Sequence, residues 1–197
     1  MLKFKSAIAI GLSILLSATS VMPTMAARVY NADTNMWEEP SVAMTRNRGG
    51  SPIRKEIVDY ETSQKPGTIV IETDERRLYL VLEDGKAMRY GVGVGRDGFT
   101  WSGTHRITRK AEWPGWTPPA QMRKRVPDLP AYMPGGPDNP LGARALYIGS
   151  TLYRVHGTSE PWSIGQAVSS GCIRLTNEDI TDLYERVQVG ARIIVNH

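Results

Sequence analysis

TIVIETDERRLYLVLEDGKAMRYGVGV, residues 68–94, is the stretch whose reading decides the fold. Residues 68–73 are β-branched and apolar, and residues 77–82 and 86–94 carry strand character on either side of Asp84-Gly85. Branched side chains are stiff and pack well on a pleated surface, which favours extended backbone. An Asp-Gly pair tolerates the positive φ angles of a two-residue hairpin turn, so the spacing predicts a hairpin with a further strand before it. Strand character returns at residues 105–108, 145–148, 152–155 and 191–195, with Gly- and Pro-rich connections between them. The fold class is therefore mainly β (α+β).

Outward from these strands, residues 176–187 form the one convincing helix. Ile180, Leu183, Tyr184 and Val187 fall at i, i+3, i+4 and i+7, one apolar stripe. Thr176 and Asp179 stand at capping-box spacing, with Asp in place of the usual Glu or Gln. Residues 112–141 hold eight prolines and little periodicity. So long an irregular loop is either used for function or is a rigid surface loop packing its own tryptophans. Before the domain, residues 27–65 are polar and lack a sustained apolar period, and read as a flexible lead.

The first 26 residues read as a secretory signal peptide: Lys3 and Lys5 precede an apolar run over residues 7–18 that ends in small side chains. The run is shorter than the roughly 20 residues a bilayer span needs, and Pro23 interrupts its end. Cleavage is expected after Ala26, leaving 27–65 as lead and 66–197 as a single domain, exported and without a stable membrane span. Cleavage would remove two lysines and no acid from a chain of formal net charge +4. The mature protein is then mildly basic, which gives no reason to expect nucleic acid as a partner.

Secreted chains usually carry cysteines in even sets, and this one has a single cysteine, Cys172. On count alone it is buried and inert, present for reactivity, or paired with another chain. A reactive thiol with an ordinary pKa of about 8.5 needs a base or positive surroundings. Three histidines are available. His197 is the last residue, His105 lies within a strand-like run, and His156 ends an apolar strand directly before Gly157. Strand ends are where scaffolds hold site residues, although a strand-end histidine alone is more often structural.

Sixteen positions after His156 comes Ser169-Ser170-Gly171-Cys172-Ile173-Arg174, just before the capped helix. Gly171 permits a tight turn, and the backbone N–H groups of Gly171 and Cys172 are the expected oxyanion hole. One cysteine and scattered histidines give no zinc-ligand spacing, so no metal is expected.

Together, His156-Gly157-Thr158, Ser169 and Gly171-Cys172-Ile173-Arg174-Leu175 resemble the signature of the L,D-transpeptidase catalytic domain of the YkuD type. Gly103-Thr104, Trp116-Thr117-Pro118-Pro119, Asn139-Pro140-Leu141-Gly142 and Ala145-Leu146-Tyr147-Ile148 extend the likeness, in the family's order, over residues 66–195. The resemblance implies an L,D-transpeptidase-like β-sandwich of mixed sheets with one principal helix after the nucleophile turn. It implies Cys172 as nucleophile, His156 as base and the Gly157 carbonyl as the group that orients the imidazole. Arg174, Ser170 and Trp116 are the candidate substrate contacts, with a structural acid as the alternative partner of Arg174. No cofactor is implied.

The implied chemistry is transfer of a peptidoglycan stem tetrapeptide. Its bond on the carboxyl side of the third residue, a diamino acid, is cut, D-alanine leaves, and the acyl group passes from Cys172 to an amine. The acceptor is another stem peptide, an envelope protein, or water in a carboxypeptidase, and the setting is the periplasm or cell-wall space. A sortase also uses histidine, cysteine and arginine in that order, but with a wider His–Cys separation and a Thr-rich strand before the cysteine. Papain-like wall endopeptidases put the cysteine first. A non-catalytic wall-binding protein on the same fold is the reading from a different class, and the presence of both Cys172 and His156 counts against it. The sequence departs from the family's pattern at His105, where an aromatic or aliphatic residue is expected, and it shows no separate wall-binding module.

Overall fold

A computed structural model of the 197-residue chain describes residues 29–31, 36–38 and 51–197. The expected signal peptide lies outside the described residues. Strands β1 (Val29–Asn31) and β2 (Met36–Glu38) pair antiparallel. Next come β3 (Glu56–Asp59), β4 (Ile69–Glu72), β5 (Arg77–Val81) and β6 (Lys86–Gly91). The last three are the strands read from residues 68–94. Ile69 faces Leu80 and Leu80 faces Met88 across antiparallel pairs. At the turn, Lys86 N–H donates to the Glu83 carbonyl at 3.2 Å. Asp84 and Gly85 take φ of 56° and 65°, the mirror-image turn that matches strand twist.

The strand expected to run to Val94 stops at Gly91 instead. Gly93 exchanges both backbone bonds with Arg174 at 2.9 Å, and a Cβ there would meet the Ser163 carbonyl at 2.9 Å. That close approach turns the chain out of the sheet, and β7 (Val94–Gly95) pairs in parallel with β11 (Ala167–Ser169).

The remaining elements are β8 (Gly103–Glu112), α1 (Ala120–Arg125), β9 (Arg144–Ile148), β10 (Arg154–His156), a 3-10 turn (Pro161–Ser163), β12 (Ile173–Arg174), α2 (Asn177–Arg186) and β13 (Arg192–Asn196). Nine strands share one sheet in the order β12-β10-β9-β8-β13-β4-β5-β6-β3. It is mixed: β13 runs parallel to β4, and β10 parallel to β12. The ten-residue β8 joins its two halves, pairing with β13 through Gly103–Arg106 and with β9 through Ile107–Glu112. A register irregularity between Ile107 and Arg109 marks the changeover. Such a bulge bends a strand and increases its twist.

Side chains from both halves meet in one core. Ile69, Ile71, Leu78, Leu80 and Ile193 come from one half, and Leu146, Ile148, Val155 and Ile173 from the other. Helix α2 closes that core with Ile180 and Leu183 from its interior and Val187 from its C-cap. Thr176 caps the helix as expected, accepting from Asp179 N–H at 3.2 Å. Because residues alternate across a strand, Val70, Tyr79, Val81 and Ala87 form a second, smaller cluster on the opposite face of the sheet.

Two stretches carry more structure than their sequence suggests. Residues 51–65, read as the end of the flexible lead, are laid on the domain. Strand β3 pairs with β6, Tyr60 stacks on Tyr79 at 4.6 Å, and Ile53 fits over the bare backbone of Gly91 and Gly165. The physical reason is tertiary: β6 offers an open edge, and Glu56–Arg89 and Asp59–Lys86 ion pairs flank it. Within residues 112–141, Trp116, Met122, Leu129 and Leu141 make a satellite core around α1, whereas Trp113 is exposed.

Candidate active site

The site stands on the edge pair β10 and β12. Their parallel register sets Val155 beside Ile173 and His156 beside Arg174. Val155 and Ile173 point into the core, 0% and 1% exposed. Successive side chains alternate, so Arg154, His156, Cys172 and Arg174 share the other face. All four line one cleft of about 410 Å³, together with Ser170, Tyr153 and Phe99 and with Trp116, Met122 and Leu141 from the proline-rich segment. The sixteen-residue interval between His156 and Cys172 is thus a crossover, which parallel neighbours require. Here it is filled by a 3-10 turn and β11 in place of a helix.

His156 is buried and its Nδ1–H donates to the Gly157 carbonyl at 2.5 Å. A carbonyl only accepts, so the proton sits on Nδ1 and Nε2 keeps its lone pair. Burial, then the Arg174 and Arg154 guanidinium groups, hold the imidazole down at about 3, against the upward pull of the Gly157 bond. The ring is neutral at physiological pH and can take a proton. Gly157 is glycine for reasons of space, since a Cβ there would lie 2.3 Å from Asn177 Oδ1. That oxygen accepts from Ala143 N–H at 2.9 Å, which ties the start of α2 to the loop before β9.

Cys172 is half-buried. Burial raises its pKa, while Arg154 charge, hydrogen bonds from the Arg154 backbone and side chain, and Arg174 charge oppose the rise without cancelling it. At rest, therefore, a neutral thiol and a neutral imidazole share the cleft. The turn that presents the thiol is tightly built. Gly171 has φ of 100°, and a Cβ would lie 2.5 Å from the Tyr153 ring. Trp101 stacks on that ring at 4.5 Å and donates to the Gly171 carbonyl at 2.7 Å. Buried Ser169 accepts from Gly171 N–H at 3.1 Å and donates to the Cys172 carbonyl at 2.6 Å.

Of the sequence-derived candidates, His156, Cys172, Arg174, Ser170 and Trp116 line one cleft, while Gly157 and Gly171 stand next to His156 and Cys172 in the chain without lining it, and three further details differ. The Gly171 N–H is engaged inside the turn by Ser169, so of the two expected oxyanion donors only Cys172 N–H remains for the cleft. Arg174, 6% exposed, pairs with buried Glu160 at 3.2 Å, the structural-acid alternative, although its side chain also reaches the cleft wall. Trp116 lines the cleft but is mostly taken up by its own satellite core. The sequence named Ser169 within the motif without a role, and it gave no site role to Arg154, Trp101, Tyr153, Asn177 or Glu160. Arg154 alone carried a usable signal, since it stands two positions before His156 and so on the same strand face.

The other histidines lie elsewhere. His105 is half-buried in β8 and meets Trp101 edge-on at 5.8 Å, and His197 Nδ1 lies 3.1 Å from Thr73 Oγ1. Among the described residues no cluster of His, Cys, Asp and Glu is arranged to hold a metal ion.

A mixed β sheet with one core helix, presenting a histidine at the end of one strand and a cysteine on the turn before its parallel neighbour, defines the architectural class. The chain belongs to the YkuD family, the L,D-transpeptidase catalytic domain, which matches residues 66–195. It is 38% identical over 187 residues to the Escherichia coli K12 probable L,D-transpeptidase ErfK/SrfK, covering 89% of this chain and 59% of that one. The E. coli K12 probable L,D-transpeptidase YbiS is 37% identical over the same length, covering 60% of that protein. The chain thus spans about three-fifths of the length of these relatives. A crystal structure from Brucella melitensis, described as a probable carnitine operon oxidoreductase, is 44% identical, with a TM-score of 0.51, covering 71% of this chain and 91% of that one. A variant of the Enterococcus faecium L,D-transpeptidase shares the fold at 16% identity and a TM-score of 0.51, covering 67% of this chain and 50% of its own.

Proposed function

We propose that the protein is a cysteine-dependent peptidoglycan L,D-transpeptidase, exported to the periplasm or cell-wall space, with residues 66–197 as its catalytic domain. The observation that carries this reading is the neutral His156, its Nδ1–H fixed on the Gly157 carbonyl, sharing one strand face and one cleft with the Cys172 thiol.

The donor stem tetrapeptide lies in the cleft with the amide after its third residue at Cys172. The Cys172 sulfur attacks the carbonyl carbon as the thiol proton passes to His156 Nε2. With both groups neutral at rest and two guanidinium groups beside the ring, transfer is favourable only in concert with attack. The oxyanion is stabilised by Cys172 N–H, a fixed dipole aimed at the developing charge. As the C–N bond breaks, the imidazolium returns its proton to the leaving amine, and D-alanine departs from a thioester. An acceptor amine then attacks that thioester, gives its proton to His156, and the thiol is re-formed as the sulfur leaves.

The acceptor is a second stem peptide or an amine of an envelope protein. Incubation with a disaccharide tetrapeptide and mass spectrometry of the products tests the reading. Cross-linked dimer, released with D-alanine and absent with Cys172→Ala, is the expected outcome. Tripeptide alone would instead mark an L,D-carboxypeptidase, and intact donor in the presence of both peptide and protein amines would contradict the reading.

A further inference from the structure

Two residues that line the cleft each carry a buried side-chain atom with no hydrogen-bond partner among the described residues: Arg154 Nε and Ser170 Oγ. A buried donor left unpaired is costly, more so when charged, and a partner supplied by a ligand removes that cost. Both residues are neighbours of Cys172: Arg154 acts on its sulfur through charge and hydrogen bonding, and Ser170 lies two positions before it on the presenting turn. The charge of the lining agrees. Arg125, Arg154 and Arg174 contribute to the cleft wall and no Asp or Glu does. Of the two arginines on the β10–β12 face, Arg174 already holds Glu160.

We propose that Arg154 and Ser170 form a carboxylate subsite that grips a free carboxylate of the donor next to the scissile amide. This rests on the transpeptidase reading. A guanidinium edge and a hydroxyl suit a planar anion, whereas a neutral amide would leave the charge unmatched. Two carboxylates of the donor have this chemistry, the terminal one on the leaving D-alanine and the one on the diamino acid.

The test compares three disaccharide tetrapeptides: unmodified, amidated at the terminal carboxylate, and amidated at the diamino-acid carboxylate. The wild-type protein is expected to prefer the unmodified donor over one of the amides by at least tenfold in kcat/KM, mainly through KM. The disfavoured amide identifies the carboxylate gripped. In Arg154→Gln that ratio should fall towards one, with Arg154→Lys intermediate and Ser170→Ala reducing it several-fold. Equal use of all three donors by the wild type overturns the proposal. So does an unchanged ratio in Arg154→Gln, which would mark a residue that only tunes the sulfur. Should no donor turn over, the transpeptidase reading fails by itself, and protection of Cys172 from iodoacetamide decides the subsite. N-acetyl-D-alanine shielding the thiol better than its amide supports it, and equal shielding overturns it.

Discussion

At the scale of single residues, the site depends on which groups are charged before substrate arrives. Burial keeps both His156 and Cys172 neutral, so alkylation of Cys172 by iodoacetamide should accelerate with pH up to and beyond the ordinary thiol value of about 8.5. A rate already flat across neutral pH would reveal a preformed thiolate–imidazolium pair and contradict this account. Replacing His156 by Gln is expected to lower turnover by about 10²–10⁴-fold, the range for a lost general base, while the fold survives as judged by circular dichroism. The same histidine links stability to pH. Its folded pKa of about 3 lies below the ordinary 6.5, so between those values the unfolded chain binds more protons. Stability should therefore fall on acidification through that window by up to about 1.4 kcal/mol per pH unit, and urea titrations of wild type and His156→Gln should differ there.

At the scale of elements, the cap of α2 and the turn before β12 present Cys172. Thr176→Ala removes the oxygen that accepts from Asp179 N–H and should cost about 1 kcal/mol, read as a shift in urea midpoint with unchanged slope. This helix was legible because its apolar stripe and its cap are local signals, and the β5–β6 hairpin was legible because Asp84-Gly85 dictates its turn. The short strands β3, β11 and β12 were not. Each has two to four residues and exists because a partner edge is waiting: β6 for β3, β7 for β11 and β10 for β12. Local sequence cannot announce a partner that tertiary structure supplies. The site shows the same division. His156, Gly157 and Cys172 were visible as a motif, and Arg154 was readable from strand alternation. Glu160 came to light only when the crossover folded its carboxylate onto Arg174.

At the scale of the whole molecule, a buried ion pair and a docked lead hold the cleft to the core. Arg174 and Glu160 are 6% and 3% exposed, and removing one partner strands a buried charge. Glu160→Ala is expected to destabilise the domain by about 3–5 kcal/mol, and a thermal midpoint within 2 °C of wild type would contradict that role. Residues 51–65 add Ile53, β3, Tyr60 and the Lys55 link to Asp182 at 3.6 Å. A chain beginning at Pro66 should melt on the order of 5 °C or more below one beginning at Ser51, since it exposes the β6 edge and the Gly91 groove. Equal midpoints would return residues 51–65 to the status of a loose lead.

The central claim is that Cys172 forms an acyl-enzyme by attack after the third residue of the donor stem. Rapid quenching in acid during turnover of a disaccharide tetrapeptide, followed by intact-protein mass and peptide mapping, tests it most directly. The account predicts an adduct equal to the donor less D-alanine, mapped to Cys172 and absent from Cys172→Ala. Turnover of the donor with no adduct on Cys172, or turnover that persists in Cys172→Ala, would contradict it.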